Sequence, residues 1–301
     1  MSSHLLNGAV APDITRNFIK AKEPCAAGYR WFLRRQEFGS SYQALLDDLV
    51  RDGRVQDACW LLDQLGPTSD VLRIDGLDAQ ALVFAGRVEC AGSAVVDTVL
   101  RTGRGFSARG GVSAGELLQI GESLHVEGAV QCGGAVQIGG DARIEWSLSS
   151  QGTLDCAGNL RTGWELTSAA KVHVRGEVVV GHDVQVEGDL QCGQGLKVGG
   201  DVSAQGQVDV HRGIHAGGSV TSPLHVHAGR GILCGGDIRS GGAIRVGESL
   251  VAGGVIEAGA GYGIFAGVDV AMDVWEDSAR VTATRRPEGL LSGYWVAMNG
   301  S

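Results

Sequence analysis

The sequence predicts a mainly β chain: a triangular β-solenoid of about eleven turns of 18 residues, preceded by a small N-terminal α-helical domain. Three observations predict it. A hexapeptide frame holds from residue 82 to 274. Glycine supplies 49 of the 301 residues while proline supplies 5, so the chain is punctuated by bends without being collagen-like. The chain also changes character near residue 70, where helical spacing of apolar residues gives way to the six-residue period. The expected domains are therefore 1–70 as a helical docking or capping unit, 71–274 as the solenoid, and 275–301 as a C-terminal cap.

Composition narrows the function classes. A hydrophobic fraction of 44% is too high for a disordered chain. A net charge of −9 argues against a binder of the phosphate backbone, so no nucleic-acid partner is expected. No apolar run is long enough for a transmembrane helix. The first residues, MSSHLLNGAVAPD, lack a basic region and a long apolar stretch, so no secretory signal is expected. Seven cysteines without a Cys-x-x-Cys pair read as reduced, small apolar residues in a cytoplasmic protein.

The helical elements follow in order. Pro12-Asp13 opens a first helix with Ile14, Phe18 and Ile19 on its apolar side, and Glu23-Pro24 ends it, because a proline disfavours helix at the residue before it. Cys25, Gly28, Tyr29 and Phe32 space a second helix, closed by Gly39. Ser40 or Ser41 caps a third, which carries Tyr42, Leu45, Leu46 and Leu49 and stops at Gly53. Val55, Ala58, Cys59, Leu62 and Leu65 make a fourth, stopped by Gly66-Pro67. This unit is expected to cap one end of the coil or to dock on a partner.

The coil follows from the hexad. Its first position is Leu, Ile, Val or Phe throughout, except at Ala94, Ala142 and Tyr262. The third is small or aliphatic. Alternation puts positions one and three on the same, inward side of a short strand and position two outside. Glycines at positions four and five allow the sharp bend. Cys90, Cys132, Cys156, Cys192 and Cys234 all fall on position three, so they point inward, and no metal site is read into them.

Columns 18 residues apart stack on consecutive turns. On one corner Trp146, Trp164 and His182 replace the usual glycine and are expected to stack, exposed. The next position along it reads Ser147, Glu165, Asp183, Asp201, Ser219 and Asp237, an acidic ridge beside the aromatic patch. Trp146, Trp164, His182, Glu165, Asp183 and Asp201 are therefore the candidate partner-binding residues, since an exposed aromatic column marks an interaction surface and repelling carboxylates favour a cationic partner. A second corner sets Arg212 above Arg230, an anion site unless Glu248 pairs with it. His211, His215, His225 and His227 are close in sequence but occupy different repeat positions, so no metal site is assigned. Trp275, Tyr294 and Trp295 are the candidate capping or assembly residues, with Arg285–Gly289 as a turn between two strands.

The segments LHVEGAVQCGGAVQIGGD and VQVEGDLQCGQGLKVGGD resemble the repeats of the bactofilins, polymer-forming bacterial cytoskeletal proteins. The resemblance covers roughly residues 82–274. It implies a right-handed triangular β-helix and end-to-end polymers. The rival hexapeptide class, the left-handed acyltransferase helix, places its small residue two before the aliphatic one and builds its site from extruded loops. Here the small residue follows the aliphatic one, and the frame shows no insertion. The expectation is a non-enzymatic structural scaffold without cofactors, associating with itself or with another protein. The alternatives are an adaptor using the tryptophan corner or the helical domain, and an acyltransferase.

Overall fold

A computed structural model describes residues 16–35 and 41–297. Strands of three or four residues recur, and each pairs in parallel with the strand one turn on: Leu148 lies beside Leu166, and Leu166 beside Val184. Three parallel sheets result, of thirteen, eleven and twelve strands, called here the first, second and third sheets. Strands Val71–Ile74, Leu77–Ala79 and Leu82–Phe84 open them in that order. Hexad positions one and three fill the interior. Leu148, Leu154, Leu160 and Leu166, from consecutive hexads, are fully buried in one continuous core. The five repeat cysteines lie in that core as free thiols.

The eighteen-residue period is not uniform to its ends. The opening turns are shorter: Leu72 pairs with Val88 and Leu77 with Ala94. The expected unbroken frame to residue 274 is corrected at the other end. Ile244 pairs with Ile264, not with Tyr262. Tyr262 is displaced outward and sets its ring edge-on to His225, with centroids 5.4 Å apart. Leu250 pairs with Val281. The intervening residues form a loop with a short helical turn, Trp275–Ser278.

The expected C-terminal cap is also corrected. Residues 280–297 do not fold across the last turn but extend the coil. Strand Arg280–Ala283 pairs in parallel with the first sheet, Tyr294–Ala297 pairs beyond it, and Leu290–Ser292 joins the third sheet. The turn count accordingly exceeds the eleven read from the hexads.

Position six of the hexad carries a second regularity. Asp183 Oδ1 accepts the backbone N–H of Asp201 at 2.8 Å, one turn on. Asp141, Asn159, Asp189, Asp201, Ser219, His225 and Asp237 accept from the equivalent residue in the same way. Each acceptor satisfies a corner N–H that the strand ladder leaves unpaired. Geometry then dictates the neighbour. A Cβ on Gly200 would lie 2.1 Å from Asp183 Oδ1, closer than two such atoms approach. Position five is thus glycine 17 residues after each of these aspartates and asparagines.

The helical unit comprises α1 (Arg16–Ala21), α2 (Ala26–Arg35), α3 (Tyr42–Arg51) and α4 (Val55–Leu65). Ser41 caps α3 by accepting from Ala44 N, and Gly53 and Gly66, both at positive φ, end α3 and α4. Pro12, Asp13, Ile14, Gly39, Ser40 and the Phe18 side chain lie outside the described residues. The unit sits on the flank of the third sheet. Leu46, Leu61 and Leu62 share a core with Val83, Ala85 and Val99. The Arg101 side chain, 9% exposed, pairs with Asp63 and donates to Cys59 O at 3.0 Å. Gln43 completes the seat: its Oε1 accepts from Ala85 N at 2.9 Å and its Nε2 donates to Val83 O at 3.0 Å. That side-chain amide pairs with the open edge of strand Leu82–Phe84 as another strand would.

Candidate functional site

The corner between the first and second sheets is set by its backbone. Trp164 N donates to Trp146 O at 3.0 Å, His182 N to Trp164 O at 2.9 Å, and Gly200 N to His182 O at 2.8 Å. The three side chains therefore leave the coil at one height per turn, about 4.8 Å apart. Bulky residues fit here because the preceding position-six residues, Ser147 and Glu165, do not accept the corner N–H. Trp146 is 65% exposed and Trp164 51%.

The expected three-ring stack is in part corrected. Trp164 and His182 stack, with ring centroids 4.6 Å apart and an interplanar angle of 16°. Trp146 stands outside that pair. His182 Nδ1 lies 2.8 Å from Asp183 Oδ2, so a carboxylate and an indole fix its ring from two sides. Glu165, His182 and Asp183 bring one donor atom each to within 4.8 Å of one another. These three are the described residues that could hold a cation, as two carboxylates around an imidazole at a solvent-facing corner.

The acidic ridge has an internal explanation. Asp183 and Asp201 each spend one carboxylate oxygen on the backbone N–H of the next turn, and Asp237 does the same toward Val255. The carboxylates are stabilised from within the coil, and a cationic partner is not needed to account for them.

Beside the tryptophans lies a feature that the sequence reading missed. The outward residues of the second sheet are Ser113, Gln131, Ser149, Thr167, Gln185, Ser203 and Thr221, in register on seven successive turns. None is charged, and all reach solvent. The signal was present as the second position of every third hexad. It was passed over because no single residue there is unusual.

The remaining candidates separate. Arg212 and Arg230 stand on consecutive turns of the corner between the third and first sheets. Glu248 meets Arg230 through the backbone only, N to O at 3.3 Å, so the side-chain pairing weighed from sequence does not form. His215 lies on the first sheet and His227 on the third, which keeps them apart. His227 instead pairs with Asp209, Nδ1 to Oδ1 at 2.9 Å. Trp295 packs against the coil core, Tyr294 is exposed on the last strand, and Trp275 starts the short helical turn. Burial raises the thiols of Cys156 and Cys234 to about 11 and that of Cys192 to about 12. They are poor nucleophiles at neutral pH.

No curated protein and no solved structure matches the chain. The likeness to bactofilins remains one of repeat style, without a family match over the coil. The family comparison does reach the helical unit: residues 1–65 are similar to the YdhT N-terminal domain.

Proposed function

We propose that this protein is a non-enzymatic structural scaffold, a rod that associates end to end with further copies of itself. One observation carries the reading. The first sheet runs through thirteen strands and ends at both extremes on a strand paired on one side only among the described residues, Val71–Ile74 and Tyr294–Ala297. Open strand edges are templates for pairing. Both edges belong to parallel ladders, so a second coil can continue the first in the same direction. The helical unit supports the reading, because it is seated on the flank of the third sheet. Gln43 closes the edge of that sheet and leaves the first sheet's edge to a partner. Exposed apolar residues at the other end, Leu291 and Tyr294, add a surface to bury. The bactofilin-like repeat style supports it as well.

Sedimentation velocity and negative-stain electron microscopy across a concentration series test it. One coil is roughly 60 Å long. The expected result is rods that lengthen with concentration by multiples of that length. Leu291→Lys with Tyr294→Lys should return the population to single coils, since charge on an edge blocks pairing. Single coils at every concentration would overturn the proposal.

A further inference from the structure

We propose that the tryptophan corner and the adjoining face of the second sheet form one binding surface for a neutral glycan chain laid along the coil axis. Two independent features meet there. The first is the pair of exposed indoles, Trp146 and Trp164, on consecutive turns. An indole offers a flat apolar face with an electron-rich surface. The C–H-bearing face of a pyranose ring is a complementary partner for it. Leaving two such faces in water without a ligand is costly.

The second feature is the uncharged face beside them. Seven turns present only hydroxyl and carboxamide groups, Ser113 through Thr221, each in register with the next. Hydroxyls and amides both donate and accept. That matches sugar hydroxyls, which do the same, better than it matches a charged peptide or a phosphate backbone. The face spans roughly 30 Å at the turn spacing. Linear glycans repeat their hydroxyls at intervals of similar order, so a chain running parallel to the axis meets an equivalent group at each turn.

Electrostatics selects among glycans. Charge first enters the face at Arg239, which is held by Asp237 and Glu257. On the tryptophan side lie Glu165, Asp183 and Asp201. These carboxylates repel uronate, sulfated and phosphorylated polymers, while their free oxygens can still accept from sugar hydroxyls. A neutral glycan is the ligand class that both features admit. The surface is lateral and distant from the strand edges at the ends, so the inference stands independently of end-to-end assembly.

The test uses the full chain with cellohexaose, chitohexaose and laminarihexaose, followed by titration calorimetry and indole fluorescence. The expected result is saturable binding of at least one of them. It should change little between low and high salt, because no ion pair is involved. Trp146→Ala with Trp164→Ala should weaken it at least tenfold, with circular dichroism and sedimentation unchanged. Gln131→Glu with Gln185→Glu, which alters only the sheet face, should weaken it as well. Binding that survives in both double variants would overturn the proposal. So would failure of all three oligosaccharides to bind, which would return the corner to a protein partner, or a preference for acidic glycans.

Discussion

The coil and the helical unit hold their cores by opposite means. In the coil, every interior residue has a counterpart 18 residues away in the same environment, and stability accrues turn by turn. In the helical unit, Leu46, Leu61 and Leu62 meet Val83 and Val99 once, and nothing repeats. The contrast teaches where the molecule is vulnerable. A lost contact in the coil is one of many alike. A lost contact in the seat of the helices is unique.

Arg101→Ala should sharpen that contrast most. It leaves Asp63 and Cys59 O without their guanidinium partner. The expected loss is about 2 kcal/mol, concentrated in the helical unit. Hydrogen exchange should show α3 and α4 deprotected while the coil amides keep their protection. Equal loss of protection in both regions would show that the two fold as one unit. Gln43→Ala should act in the same direction with a smaller effect.

Gly200→Ala attacks the coil at a place where it is also unique. The new Cβ collides with Asp183 Oδ1, at an expected cost of about 1–2 kcal/mol in thermal unfolding. Asp183→Ala in the same chain removes the collision and should recover part of it, so the two changes should be non-additive. Additive losses would break the coupling between positions six and five.

The smallest effect is alkaline. Cys192 and Cys156 titrate higher in the folded chain than the ordinary thiol value of 9.0. The unfolded chain therefore releases these protons first. Their contribution to stability is complete below about pH 9 and declines as pH rises from there toward the folded values of about 11 to 12. The melting temperature should fall across that window, and fall less steeply in Cys156→Ala with Cys192→Ala.

The hexad made the coil legible because period-two burial and corner glycines are local rules repeated many times. Inward cysteines and the Trp146–Trp164–His182 column followed from the same count. Three things were not legible. The pairing of Leu250 with Val281 spans an irregular loop that no period marks. Arg101 occupies an outward position two, like many solvent-facing residues, and only tertiary packing covers it. The His182–Asp183 contact depends on a side-chain torsion that spacing does not specify. The neutral face of the second sheet was written in the sequence but appears only when every third hexad is read as one surface.

The position-six acceptors also give the coil a direction in time. Asp183 prepares a place for the N–H of Asp201, which the ribosome makes 18 residues later. Each finished turn thus offers its successor both an edge to pair with and an acceptor already in position. The loop to be closed at each step is short and constant in length. Winding can therefore begin at the N-terminal end and keep pace with synthesis, each turn serving as the mould for the next. The last of these acceptors, Asp237, receives Val255, just before the period breaks. The final turns are the part of the coil completed without such guidance.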